Sequence, residues 1–385
     1  MATDNNNKVL NVPNKGKVPR LRFPEFTEEW TQCTIGSYGN IITGSTPSTS
    51  DTENYDNGTY LWASPSDLGE LKYVEQTQTK LTDKGFGKTR RFPANSIMVT
   101  CIGSTIGKMG MSKVEMSTNQ QINTIVPTGH DANFVFYTIQ SRFPRYLSSI
   151  AVQAVPIISK SAFEKLENYT TSIDEEVKIG TFLSILDERI ATQNKIIEQL
   201  QSLIKGIYDK VFTNFSEYNT LLTICKIQKG QQVNGEDLSE FGEYYVMNGG
   251  IEPSGYYDKY NTMPNTISIS EGGNSCGYVQ FNTVPFWSGG HCYSLQDIDI
   301  EYSTHFVYHY LKSKEKEIMA LRIGSGLPNI QKKDLEKFPI PVLSLETQIS
   351  IVNGINKIET KLKQERDILS AYQTQKAYLL RNLFI

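Results

Sequence analysis

The sequence predicts an α/β protein with an internal pseudo-twofold repeat: two mixed α/β domains separated by two long α-helices packed as an antiparallel coiled coil. Three observations carry this. Residues 155–212 align with residues 327–384 without a gap, at a constant offset of 172. Both copies carry an apolar spacing that alternates four and three residues, the mark of a coiled-coil seam. The stretches ahead of the copies resemble one another weakly but in order.

The repeat opens on Val155-Pro156-x-Ile158-x-Lys160, answered by Leu327-Pro328-x-Ile330-x-Lys332. Phe163-Glu164-Lys165 is answered by Leu335-Glu336-Lys337, and the copies close on Val211-Phe212 and Leu383-Phe384. Such a chain is built to serve two similar sites, which favours a pseudo-symmetric adaptor over a single active site.

The first domain is expected over residues 1–171. It begins with a basic run (Lys15, Lys17, Arg20, Arg22) and the proline-punctuated segment from Val18 to Phe26. Short β-branched runs such as Ser96–Thr100 and Ile122–Val126 then read as strands between polar loops. A first long helix follows at 172–215. Ser172 with Glu175 three residues on reads as a capping box, and Asp174, Glu175 and Glu176 suit the positive end of a helix. Its seam is Ile179, Leu183, Leu186, Ile190, Ile197, Leu200, Ile204, Ile207 and Val211, with a polar substitution at Gln193.

A second mixed domain is expected over 216–342 and a second long helix over 343–385. The seam returns there at Ile351, Ile355, Ile358, Leu362, Leu369, Tyr372, Leu379 and Leu383, broken by Glu365 and Lys376. Each helix should reach about 57 Å at about 1.5 Å per residue. A single apolar stripe of that length needs a partner, and the other copy is the obvious one. Leu183, Leu186, Ile190, Ile197, Leu200 and Ile204 should therefore meet Ile355, Ile358, Leu362, Leu369, Tyr372 and Leu379. Between the domains, Asn95-Ser-Ile-x-Val-Thr100 parallels Asn265-Thr-Ile-x-Ile-Ser270, with Gly107 opposite Gly277 at an offset of 170. Closely repeated helices suit one constant partner bound twice, and divergent domains suit two different targets.

Five cysteines without a C-x-x-C pair argue for a reducing compartment. With no long apolar run and no signal-peptide core at Met1–Pro19, a soluble cytoplasmic protein without membrane contact is expected. The net charge of −3 is unusual for a nucleic-acid binder, but charge is unevenly placed. Lys80, Lys84, Lys88, Arg90, Arg91, Lys108 and Lys113 face one acid, Asp83, over residues 80–113, whereas residues 220–340 hold ten basic and fourteen acidic residues. Phosphate contacts in the second domain must come from local placement or from a partner.

Familiar catalytic patterns do not fit. Gly87-Lys88-Thr89 lacks the upstream glycine of a phosphate loop, which would fall at Thr82, and Gly107-Lys108 is followed by Met109. His305 and His309, near His291 and Cys292, do not match a zinc pattern, and Phe306–Leu311 reads as a core helix. There is no Gly-x-Ser-x-Gly elbow, no methyltransferase Asn/Asp-Pro-Pro-Tyr and no nuclease cluster. What remains is a binding signature. In the first domain the candidates are Lys84, Lys88, Arg90 and Arg91, then Thr105 and Lys108, then Asn119 and Gln120. Arginine can read guanine and Asn or Gln can read adenine in the major groove, while lysines and hydroxyls hold phosphates. The second domain offers Asn248, Tyr256, Tyr257, Asn274, Ser275 and Lys332.

The opening Val18-Pro-Arg-Leu-Arg-Phe-Pro-Glu-Phe26 with Trp30, the glycine-rich strand and loop at 96–108, the Pro-x-Ile-x-Lys run before each helix and the domain–helix–domain–helix order together resemble the specificity subunits of type I restriction–modification systems. The resemblance implies a non-catalytic subunit whose two target-recognition domains each read half of a split sequence in double-stranded DNA. It implies methyltransferase subunits, two of them, docked on the helices, and restriction subunits joining that core. S-adenosylmethionine, ATP and Mg would then belong to those partners and not to this chain, with the acidic second domain gaining affinity from the methyltransferase. The competing expectation is a coiled-coil interaction scaffold without DNA specificity.

Overall fold

The four–three spacing produces two uninterrupted helices. The computed structural model describes residues 17–69, 71–149, 156–324, 326 and 328–385. In it the helices span Ile173–Val211 and Leu345–Asn382, whose starts differ by the repeat offset of 172. Lys15, Val155 and Leu327, read above in the basic run and the repeat, lie outside the described residues. The chain divides into two units: residues up to Lys195 with Asp367–Ile385, and Ile196–Arg366.

Unit 1 begins with β1 (Thr31–Thr34), β2 (Gly39–Thr43), β3 (Tyr60–Ala63), β4 (Tyr73–Val74) and β5 (Thr79–Leu81). After α1 (Asp83–Gly87) come β6 (Arg91–Phe92), β7 (Ile97–Thr100), β8 (Met109–Ser112), β9 (Met116–Thr118) and β10 (Ile122–Pro127). The helices α2 (Ala132–Ser149) and α3 (Lys160–Glu164), strand β11 (Glu167–Thr170) and the long α4 (Ile173–Val211) follow. The main sheet has the order β2-β10-β7-β8-β4, and a second sheet the order β5-β3-β9-β6. Strand alternation sends Ile97 and Val99 into a core shared with α2, and Met98 into a smaller cluster with Ala63, Leu68 and Phe92.

Unit 2 repeats this plan. Strand β12 (Tyr218–Thr220) leads through α5 (Leu221–Ile224) to β13 (Lys226–Lys229), β14 (Tyr244–Met247) and β15 (Tyr256–Tyr257). Next come β16 (Thr266–Ser270), β17 (Val279–Asn282), β18 (Trp287–Ser288) and β19 (Cys292–Gln296). Then follow α6 (Thr304–Ser313), α7 (Glu315–Ala320), α8 (Lys332–Leu335), β20 (Pro339–Pro341) and α9 (Leu345–Asn382). Its sheets run β13-β19-β16-β17 and β15-β14-β18, the second keeping the parallel pair that β3 and β9 form in unit 1.

Each unit holds one end of each long helix. In unit 1, Leu183 and Leu186 near the start of α4 share a core with Leu379 and Leu383 at the end of α9, and Lys376 Nζ lies 2.6 Å from Asp187 Oδ1. In unit 2, Ile207 and Val211 at the end of α4 share a core with Val352 and Ile355 at the start of α9. Start meets end both times, which is antiparallel pairing. Of the expected seam residues, Leu183, Leu186, Ile197, Ile355, Leu362 and Leu379 are buried; Ile190, Leu200, Ile204, Ile358, Leu369 and Tyr372 are half-buried.

The capping box is only half formed. Ser172 Oγ accepts from the Glu175 N–H at 3.4 Å, but the Glu175 carboxylate does not reach back. It takes a bidentate pair of 2.7 Å bonds from Arg22 instead, with Trp30 Nε1 donating at 3.2 Å. The Leu21 N–H donates to the Asn382 carbonyl at 2.8 Å, so the proline-punctuated segment ties the start of α4 to the end of α9. Among the described residues no helix is long and apolar enough to cross a membrane, and no group of three or more His, Cys, Asp or Glu side chains is placed to hold a metal ion.

Candidate nucleic-acid interface

In unit 1 the loop after β2 gathers most of the predicted residues. Ser45 N–H donates to the Thr118 carbonyl, and Ser45 Oγ accepts from the Arg90 N–H at 3.0 Å. The Arg90 guanidinium donates to the Thr43 carbonyl at 2.9 Å, and Thr46 Oγ1 bonds Gln120 Oε1. Lys88 Nζ donates to Asp51 at 3.1 Å and Asn54 at 2.8 Å, while Lys84 pairs with Glu53 and Asp51. Arg91, paired with Ser117 between β6 and β9, sets its guanidinium over the Phe86 ring. Lys84, Lys88, Arg90, Arg91, Asn119 and Gln120 therefore share one neighbourhood.

Their availability differs. Arg90, Arg91, Lys88 and Gln120 are exposed, but Asn119 is buried. Asn119 Oδ1 accepts from the Gln121 N–H at 3.0 Å and its Nδ2 donates to Gln121 Oε1 at 2.9 Å, so this amide closes its own turn. Lys84 and Lys88 have part of their charge answered by Asp51 and Glu53, carboxylates the sequence reading left out.

Thr105 and Lys108 lie on the loop between β7 and β8. Cys101 N–H donates to the Gln121 carbonyl at 2.8 Å and Gly103 N–H to the Pro156 carbonyl at 3.1 Å. Gly107 N–H returns to the Thr100 carbonyl at 2.9 Å. Gly107 sits at φ +92°, a backbone conformation that favours glycine.

Unit 2 rebuilds that loop bond for bond. Glu271 N–H donates to the His291 carbonyl at 2.9 Å, Gly273 N–H to the Pro328 carbonyl at 3.0 Å and Gly277 N–H to the Ser270 carbonyl at 2.8 Å, with Gly277 at φ +93°. Asn274 is exposed and Ser275 half-buried on this loop. Asn248 Oδ1 accepts from the His291 N–H at 3.1 Å, and Ser270 Oγ donates to the Gly249 carbonyl, so Asn248 joins them. Tyr256 and Tyr257 form β15, paired with Tyr245 and Tyr244 of β14, with Tyr257 edge-on to Trp287. Lys332 pairs with Glu336 one turn along α8.

The sequence model of the type I restriction modification DNA specificity domain matches residues 27–202 and again residues 216–370. The chain belongs to this family. A putative type I specificity subunit of Mycoplasma pneumoniae is 32% identical over 167 residues, 43% of this chain and 44% of that protein. A similar subunit of Mycoplasma genitalium is 35% identical over 146 residues, 37% of this chain and 38% of its own length. The chain thus aligns with less than half of each mycoplasma relative. The MjaIX specificity subunit of Methanocaldococcus jannaschii is 23% identical over 369 residues, 83% of both chains. The fold is that of a solved type I S subunit from M. genitalium, at a TM-score of 0.68 and 22% identity over 96% of this chain and 99% of that one.

Within this specificity-domain family member, sequence reasoning missed the Gly44-Ser-Thr-Pro47 loop that joins the basic helix to the amide turn. It also missed Lys229 and Glu271 in unit 2, and weighed His291 there only as a metal ligand. Lys229 Nζ donates to Glu271 Oε1 at 2.6 Å, and His291 Nδ1 stands 3.6 Å from Glu271 Oε2. The available signal was comparison across the repeat, since Cys101 and Glu271 occupy one backbone position.

Proposed function

We propose that this chain reads a two-part sequence in double-stranded DNA, one half with the domain of residues 1–171 and the other with that of 216–342. The observation that carries the reading is the loop built twice on one set of backbone bonds with different side chains upon it. A common skeleton with different surfaces is what two half-sites of different sequence require. The long helices of 172–215 and 343–385 then fix the gap between the halves and offer a repeated surface to two methyltransferase subunits, which restriction subunits join. Transfer and cleavage chemistry, with S-adenosylmethionine, ATP and Mg, falls to those partners. Arg90 and Arg91 carry the reading of the first half, supported by their exposure beside the amide turn.

The test is co-expression with the cognate methyltransferase subunit and genome-wide mapping of methylated bases. A single two-part motif with a fixed gap is expected. Arg90→Ala or Arg91→Ala should relax the first half by roughly tenfold in discrimination and leave the second unchanged. Stable assembly without sequence-dependent methylation would replace this reading with that of an interaction scaffold.

A further inference from the structure

Four backbone positions at the base of the repeated loop can be matched between the units by their hydrogen bonds alone. Thr43 pairs with Asn123 across β2 and β10, and Lys229 pairs with Tyr293 across β13 and β19. Cys101 and Glu271 each donate a backbone N–H to the turn residue, Gln121 or His291.

The side chains at these positions differ in kind. In unit 1 the set is neutral and closed. Thr43 Oγ1 donates to Asn123 Oδ1 at 2.7 Å, Gln121 accepts from Asn119, and burial pushes the Cys101 thiol up to about 12. In unit 2 the buried Glu271 carboxylate takes a bond from Lys229 on Oε1, together with the Tyr293 hydroxyl at 3.1 Å. Its Oε2 has no hydrogen-bond partner among the described residues, and His291 Nδ1 faces it from 3.6 Å. Glu271 has 10% of its side chain exposed, whereas Lys229 has 53% and His291 62%. A buried carboxylate therefore holds two heads at the rim, beside Asn248 and the 272–277 loop.

We infer that Lys229 and His291, positioned by Glu271, are a base-reading pair of unit 2 that takes an edge offering an acceptor beside an amino donor, as adenine N7 and N6 do. The inference rests on the DNA-reading function proposed above. A carboxylate facing Nδ1 favours the tautomer with its proton there, which leaves Nε2 outward as an acceptor. Lys229 supplies the donor. The Glu271 charge offsets that of Lys229, so the site suits a neutral base edge better than a phosphate, whose charge the carboxylate opposes. No short motif could reveal the trio, because the fold brings it together from the end of β13, the residue after β16 and the residue before β19.

The experiment maps methylation directed by the full chain with its methyltransferase, unmodified and with His291→Ala, Lys229→Ala or the double change Lys229→Met with Glu271→Gln. The exposed His291 keeps the first variant foldable, and the double change leaves no buried charge unpaired. The expected result is that each relaxes the same adenine–thymine pair of the second half, roughly tenfold or more in discrimination, while the first half stands. An unchanged motif would overturn the inference. So would a relaxed guanine–cytosine pair, or a uniform fall in methylation with the motif intact, as a phosphate contact gives. If the unmodified chain directs no sequence-dependent methylation, the DNA-reading function itself fails and takes the inference with it.

Discussion

Units 1 and 2 carry matching backbone hydrogen bonds and differ in where they place charge. At the start of the long helix, unit 1 buries two carboxylates: Glu175 bound to Arg22, and Glu176 bound to His130 and to the Asp131 N–H at 3.1 Å. The position of Glu176 in unit 2 is Gln348, which accepts the Ser303 N–H at 2.8 Å; Ser303 and Asp131 are themselves 172 apart. At the loop base the assignment is reversed, with a neutral set in unit 1 and the Lys229–Glu271 pair in unit 2. The lesson is that a duplicated scaffold conserves the geometry of its bonds while leaving free which atoms, charged or neutral, fill them. Stability and recognition can then be adjusted separately in each unit.

The largest expected effect tests the charged helix start. Arg22→Ala leaves a fully buried Glu175 without its cation, which should cost about 3–5 kcal/mol. Its counterpart change, Thr347→Ala at the position of Glu175 in unit 2, concerns an exposed hydroxyl and should stay within about 0.5 kcal/mol. Hydrogen exchange on the full chain, followed separately in the two units, measures both. A loss below about 1 kcal/mol in Arg22→Ala would break the contrast.

A pH series gives the next effect, this time in unit 2. His309, at the position of Tyr137 in unit 1, is 1% exposed and lies between the Tyr208 hydroxyl at 2.9 Å and Asn356 Oδ1 at 3.1 Å. Burial lowers its pKa to about 4. Because the folded value lies below that of the unfolded chain, the unfolded state takes up the proton first as pH falls. Stability is fully present above about pH 6.5 and lost toward pH 4, by on the order of 3 kcal/mol. In unit 1, burial raises the Tyr137 phenol, so that position stays neutral throughout. Urea unfolding followed by Trp287 fluorescence between pH 7 and pH 4 should show the loss, and His309→Gln should flatten it.

The repeat was legible because duplication preserves apolar spacing, and spacing alone dictates a helix seam. The strands of the 96–100 and 122–126 runs were legible through β-branched clustering. Other features depended on distant partners. Glu175 looked like the second half of a capping box, since nothing local announces an arginine 153 residues away. Asn119 reads as a free amide in sequence, yet its turn brings Gln121 back onto it. Lys229, Glu271 and His291 carry no motif; only the register of β13 and β19 and the loop bonds set them side by side.

The smallest effect concerns the glycine that closes each loop. Gly107 and Gly277 both need positive φ, so alanine is strained at either, at about 1–2 kcal/mol. What the added methyl meets differs. At Gly107 it would come within 2.7 Å of the Phe143 ring, a side chain that can tilt. At Gly277 it would meet the Met319 backbone at 2.9 Å as well as the Met319 side chain, and a helix backbone yields less. Gly277→Ala should therefore cost roughly 1 kcal/mol more than Gly107→Ala. Hydrogen exchange in the 268–280 and 98–110 segments would register this. Equal losses would mean that φ strain alone sets the cost and that the two loops are closed equally rigidly.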